Sequence, residues 1–142
     1  LSDEHIQFMC YEMQHSIRAA AIGLLLVMPA AASAQVELIM GEEAGCIWCA
    51  RWNAEVAPEY PKTAEGRAAP LRRVDIHEPV PDDLILQGRL RFTPTFVLVH
   101  DGQEIARREG YPGEDFFWPV LGQMLDAAAR DIPELDGWRD GG

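Results

Sequence analysis

Two cysteines separated by two residues, Cys46-Ile47-Trp48-Cys49, stand directly after a short apolar run, Val36 to Met40, and directly before a stretch patterned as helix. Where a strand hands over to a helix, a pair at this spacing is within disulfide reach. The free N–H groups and the positive end of the helix dipole stabilise a thiolate on Cys46, lowering its pKa below the free value of about 8.5. The thiolate, not the thiol, attacks disulfides. Cys49, one helical turn on, can then attack the mixed disulfide and release the product. The spacing points to thiol–disulfide exchange with Cys46 as nucleophile and Cys49 as resolving thiol, and such exchange needs no cofactor beyond the pair itself.

A lone C-x-x-C also serves haem attachment, zinc ribbons and structural disulfides. Covalent haem needs His directly after the second cysteine, where this chain has Ala50. A zinc ribbon needs a second ligand pair, and no cysteine follows Cys49; His77 and His100 complete a Cys2His2 set only if the fold brings both to Cys46. A structural disulfide closing so short a loop constrains little of the unfolded chain and stabilises poorly. Three alternatives stay open at this level: a disulfide oxidase or isomerase using the same pair, a module that holds copper or zinc on it, and a non-catalytic interaction domain.

The chain has 142 residues, 48% of them hydrophobic, and a formal net charge of −11. Arg18 precedes an apolar stretch, Ala19 to Met28, followed by Pro29 and by Ala32-Ser33-Ala34, small residues of the kind signal peptidases cut after. The stretch is shorter than the roughly 20 apolar residues a membrane span needs, so it reads as a secretory signal removed after Ala34. Asp3, Glu4 and Glu12 have the wrong charge for such a signal, and Met13 reads as the start; Cys10 then has no role. Residues 1–34 carry three acids and one base, so the remainder keeps nine of the eleven net negative charges, a poor match for nucleic acid. Residues 35–130 have the length of one small domain, and residues 131–142 read as a loose polar tail. With both remaining cysteines in one pair, the exported chain fits an oxidising compartment such as the periplasm.

The elements that must position the pair follow from periodicity. Val36 to Met40 reads as a strand, and the helix opened by the cysteines runs toward Pro58 with Cys49, Trp52 and Val56 on one face. Tyr60-Pro61 and the Gly66 to Pro70 region read as turns, or as a short second helix around Thr63 to Ala68. Leu71 to Ile76 reads as a second strand, reached by a parallel crossover, and its Arg72 and Arg73 as solvated residues or partner contacts. Pro81 to Leu86 suits a short helix, with proline and acids at its start. Phe92 to His100 is a near-continuous β-branched and aromatic run, predicted as a central strand, which Asp101-Gly102 turns back into Gln103 to Glu109. A last helix opens at Glu114-Asp115 with Phe117, Leu121, Met124 and Leu125 on one face, and Pro119 is expected to kink it or delay its regular part.

The resulting order, β-α-β-(α)-β-β-α around a central mixed sheet, resembles the thioredoxin fold. Three separated motifs carry the resemblance across residues 36–128: the C-x-x-C at a strand-to-helix junction, Thr93-Pro94 at the start of the third strand, and Gly110 after the hairpin. More narrowly, the segments Gly45 to Trp52, Tyr60 to Arg67, Pro70 to Asp75, Phe92 to Val99 and Glu109 to Trp118 are similar to the small periplasmic thioredoxin-like SoxS proteins of bacterial sulfur-oxidation clusters. The resemblance implies a periplasmic thiol–disulfide oxidoreductase that reduces a carrier protein's cysteine. A dithiol does not stay reduced unaided in that compartment, so a membrane electron donor is expected as a partner, and the chain is expected to act as a monomer.

The resemblance also implies roles for further residues. Pro94 matches a proline whose cis bond faces the cysteines, and the backbone at Thr93 then pairs with an extended substrate. Trp48 forms an exposed lip and Gly110 leaves room for the approaching chain, while Trp52 belongs to the core and Tyr111 either meets a partner or caps the core. Two departures stand out. Gly45 precedes the pair and Ile47-Trp48 fill it, unlike the Trp-Cys-Gly-Pro-Cys of many thioredoxins, and Met40 stands where those proteins place a buried aspartate thought to deprotonate the resolving cysteine. Glu42 and Glu43 are close enough in sequence to act in its place through water or to be solvated loop residues; a carboxylate beside Cys46 would raise the thiol pKa.

The signal reading predicts that protein recovered from the periplasm begins at Gln35 by N-terminal sequencing; full-length protein held in the membrane would contradict it.

Overall fold

The computed structural model describes residues 36–140. The expected signal segment, with Met13 as its start and cleavage after Ala34, and Cys10 lie outside the described residues. The described part contains strand β1 (Val36–Glu42), helix α1 (Ile47–Glu55), helix α2 (Ala64–Ala68), strand β2 (Leu71–Asp75), strands β3 (Thr95–His100) and β4 (Gln103–Glu109), and helix α3 (Glu114–Ala128).

The sheet has the order β2-β1-β3-β4. Strand β1 runs parallel to β2, with Met40 beside Arg73, and antiparallel to β3, with Met40 beside Phe96. The mixed sheet and its element types match the α/β expectation. Strands β1 and β3 are the inner strands, which is why their sequences are apolar almost without interruption: Leu38, Ile39 and Met40 are fully buried, as are Val97, Leu98 and Val99. Asp101 and Gly102 both have positive φ, 49° and 78°, as a two-residue hairpin of matching twist requires.

One face of the sheet is covered by α1 and α3. Trp52 is completely buried there, its ring centroid 5.6 Å from Phe96 and 5.7 Å from Phe117. Cys49 and Val56 share that face of α1, and Phe117, Leu121, Met124 and Leu125 the corresponding face of α3, as the helical spacing predicts. Helix α3 begins at Glu114, so Pro119 does not delay it. That proline is exposed, where water can meet the carbonyl its missing N–H leaves free.

The other face differs from expectation. No helix forms over Pro81 to Leu86. The Ile85 N–H donates to the Gly102 carbonyl at 2.8 Å and the Ile85 carbonyl accepts from Glu104 N–H at 3.0 Å, so the segment hooks onto the start of β4. The edge of β4 supplies the backbone partners that a helix would otherwise have to provide. Leu84 and Leu90 from this connection then cover Ile39, Val97 and Val99. A Cβ at position 102 would stand 2.0 Å from the Asp83 carbonyl oxygen, so the hook needs Gly102 for space as well as for its φ. Arg72 is not a free surface cation: its guanidinium donates to both carboxylate oxygens of Asp83, at 2.5 and 2.9 Å.

The stretch after α3 is not a loose tail as far as residue 140. Ile132 and Leu135, exposed by only 6% and 1%, enter the core between polar neighbours, and two short 3-10 turns, Pro133–Leu135 and Trp138–Asp140, follow. Arg139 and the Trp138 indole N–H both bond the Asp126 carboxylate on α3, at 2.6 and 3.2 Å. Two apolar residues three apart, easily overlooked in a polar segment, carry this docking. Leu135→Ala is expected to cost about 2–5 kcal/mol of unfolding free energy in a urea titration; a change below about 0.5 kcal/mol, the size typical of a surface substitution, would return the segment to a loose tail.

Candidate functional site

The cysteine pair lies where β1 ends and α1 begins. Cys46 is the N-cap residue of α1, with extended backbone, and its sulfur accepts the Cys49 N–H at 3.0 Å. The two cysteines form a disulfide with Cα atoms 5.3 Å apart, within the usual span for such a bond. Their environments differ: Cys46 is half-buried, whereas Cys49 is 3% exposed and packs in the core. No acidic side chain occupies the first turn of α1, so within that turn nothing opposes the attraction between the helix N-terminus and negative charge on Cys46.

The Thr93–Pro94 peptide bond is cis. Pro94 is buried and Thr93 half-buried, and the Thr93 backbone N–H and carbonyl have no hydrogen-bond partner among the described residues. The Pro94 carbonyl accepts the Gly110 N–H at 2.8 Å, which brings the loop after β4 beside the cis-proline. Gly110 has φ of 83°, and no atom lies within 4 Å of where its Cβ would stand. The position thus favours glycine for its backbone and leaves open space in front of it.

Two carboxylates tie these loops to the cysteine segment. Glu43 accepts the Thr93 hydroxyl at 2.6 Å on one oxygen and meets His77 Nε2 at 2.8 Å with the other. The Thr93 hydrogen bond, and after it the His77 bond, hold the Glu43 carboxyl below its ordinary range, while the Glu43 bond raises His77. On the other side, Glu55 near the end of α1 accepts the Tyr111 hydroxyl at 2.7 Å and pairs with Arg51 at 2.9 Å. The Tyr111 bond, then Arg51, lower the Glu55 carboxyl; burial first, and then Glu55, push the Tyr111 phenol up. Tyr111 is 5% exposed, so between its two expected roles the structure favours the core cap.

Neither Glu42 nor Glu43 is a free loop carboxylate. Glu42 pairs with Arg73 at 2.8 Å, and Arg73 also bonds Asn53 and stands over the Trp52 ring. Position 40 is a fully buried methionine packed in the same core as Cys49. His77 is committed to Glu43, while His100 stands opposite Val36 in the sheet, at the far end of β3 from Thr95.

Around the cysteines the surface is apolar. Ile47 is 72% and Trp48 48% exposed, as the lip expectation requires of Trp48, and Phe116, which shares a cleft with Trp48, is exposed as well. Trp48 forms one wall of a cleft of about 390 Å3 whose other walls include Gly110, Pro112, Phe116 and Met124. Reading the sequence alone missed Phe116, whose neighbour Phe117 takes the core face of α3, and missed the bridging role of Glu43. The available signal for Phe116 was an aromatic off the apolar face of its helix; for Glu43 the sequence held none beyond nearness to Cys46.

No protein-family model matches the chain, and no curated protein matches it. Among solved structures, the periplasmic thioredoxin SoxS from Paracoccus pantotrophus, in its reduced form, is 53% identical, with a TM-score of 0.64 over 66% of this chain and 98% of that one. The thioredoxin of Malassezia sympodialis, a pan-allergen, is 22% identical over 65% of this chain and 76% of that chain, with a TM-score of 0.45. Identity of the first size across almost the whole of a thioredoxin extends from the sheet to the cysteine-bearing helix, and the chain belongs to the thioredoxin family, with the thiol–disulfide oxidoreductase chemistry of its Cys46–Cys49 pair.

Proposed function

We propose that the protein is a periplasmic reductase that acts, as a monomer, on a disulfide or blocked cysteine of a partner protein such as a sulfur-oxidation carrier. The observation that carries the exchange mechanism is the unequal setting of the two sulfurs, one at a helix N-cap and reachable, the other enclosed. The periplasmic setting is supported by the 53% identity to a periplasmic thioredoxin, and the carrier as partner by the resemblance to SoxS proteins.

In the reduced protein the Cys46 thiolate attacks one sulfur of the substrate disulfide; a new S–S bond forms and the substrate's other sulfur leaves as a thiolate. Cys49, deprotonated, then attacks the Cys46 sulfur, the mixed disulfide breaks, and the second substrate thiol departs, leaving Cys46–Cys49 oxidised by two electrons. The Cys49 N–H that now points at the Cys46 sulfur is the group that stabilises its thiolate. The open backbone of Thr93 beside cis-Pro94 pairs with the substrate chain, Gly110 leaves room for it, and Trp48 packs on it. Reduction of the pair for the next cycle falls to a membrane electron donor, since a dithiol does not stay reduced unaided in an oxidising compartment.

Alkylation of the reduced protein is expected to modify Cys46 first, with an apparent pKa below that of a free thiol; preferential labelling of Cys49 would reverse the assignment. Cys49→Ser keeps the attacking sulfur and removes the resolving one, so the mixed disulfide with the natural partner should accumulate in cells, whereas a Cys46 variant should trap nothing. Absence of any reducible adduct would move metal binding or a structural disulfide to the front, and a broad set of trapped secreted proteins would point to an oxidase or isomerase. The direction is read from the reduction potential: near about −270 mV for a reductant, near about −120 mV for an oxidant.

A further inference from the structure

The cis-Pro94 loop and the cysteine segment are distant in sequence and belong to different strands, yet disulfide exchange needs Thr93 and Cys46 at a fixed separation. A substrate held by the Thr93 backbone presents its disulfide to Cys46 only if that separation is right. Backbone pairing in the sheet sets it in part, because Gly41 at the end of β1 stands opposite Thr95 at the start of β3. Beyond the ladder, Glu43 and Thr93 lie on the loops that leave it, and no backbone bond joins those two loops among the described residues. The direct side-chain link between them is the bond from the Thr93 hydroxyl to Glu43, across fifty positions of sequence.

Glu43 is itself fixed from two further directions. Its carbonyl accepts the Cys46 N–H at 3.3 Å, so its backbone belongs to the turn that presents the nucleophile. Its second carboxylate oxygen is held by His77, whose own N–H donates to Asp75 at the end of β2. A charged acceptor strengthens both side-chain bonds relative to a neutral one, and both partners keep this carboxyl ionised at neutral pH.

We infer that Glu43 is a positioning residue for the exchange reaction, fixing the substrate-pairing backbone of Thr93 at its working distance from Cys46. The inference rests on the thiol-exchange reading of the site and adds to it a strut that neither touches the sulfurs nor supplies a proton. Both carboxylate oxygens are already engaged, which separates this role from that of the aspartate replaced by Met40. Misplacing a substrate by an ångström can cost orders of magnitude in rate. The strut therefore matters for a substrate that uses Thr93 and far less for one too small to reach it.

The test compares pre-reduced wild-type protein and variants by stopped-flow tryptophan fluorescence, with two oxidants: an extended disulfide-linked peptide pair and bis(2-hydroxyethyl) disulfide. The quantity read is the ratio of the second-order rate constants for peptide and small disulfide, in which changes in the Cys46 thiolate cancel. Glu43→Ala should lower that ratio about tenfold. Glu43→Gln, whose amide oxygen still accepts the Thr93 hydroxyl, should restore most of it and guards against a mere folding defect. Thr93→Val should lower the ratio like Glu43→Ala, and combining the two should add nothing further, since both remove one bond. An unchanged ratio in Glu43→Ala, failure of Glu43→Gln to restore it, or additive losses in the double variant would overturn the positioning role while leaving exchange intact. A wild-type protein that oxidises with neither disulfide would overturn the exchange reading and the strut together.

Discussion

The constraint on which the rest depends is the junction where β1 gives way to α1. A strand ending at Glu42 and a helix starting at Ile47 leave only a short turn between them, and Cys46 caps the helix with its sulfur. In that position the sulfur receives an N–H that a helix start cannot satisfy internally. The same geometry sends Cys49 into the core beneath Trp52 and Met40. The division of labour between the two sulfurs, one reachable and one enclosed, is thus a consequence of where the helix begins. It would be lost if the helix started a turn earlier or later.

The surroundings hold the junction in register with two loops from elsewhere in the chain. Glu43 ties the cis-Pro94 loop to the turn before Cys46, and Glu55 ties the Gly110–Tyr111 loop to the far end of the same helix. Pro94 and Gly110 are then joined directly by a backbone bond. Each carboxylate serves two partners and lies in a low-pKa setting created by them, so both stay charged at neutral pH. These loops are thereby bonded back to either end of α1, while Ile47, Trp48 and Phe116 beside them stay exposed and apolar.

Most of the frame was legible in the sequence. Among the described residues, alternation, helical spacing and turn chemistry located the four strands and helices α1 and α3 and left Thr63 to Ala68 between turns and a short helix; the C-x-x-C, Thr93-Pro94 and Gly110 motifs marked segments that the fold brings side by side. Two misreadings have one cause. Pro81 to Leu86 has the residue types of a helix start, but its backbone bonds are taken by Gly102 and Glu104. The segment after Asp131 has the composition of a tail, but Ile132 and Leu135 find space under α3. In both, local composition was overridden by partners that only folding brings near.

By itself the sequence determined which residue types could do chemistry and on which elements they stand, because strand and helix periods and the three-residue spacing of the cysteines are short-range properties of the chain. It also determined that position 40 carries no acid. The tertiary structure alone decided that Glu43 reaches Thr93 and His77, that Glu55 reaches Tyr111, that Arg73 covers Trp52, and that Trp48 shares a cleft with Phe116. These pairs are far apart in sequence, and their meeting depends on the register of β1 against β2 and β3. That register is set by burial of apolar residues on both faces of the sheet at once, a condition no local stretch of sequence contains.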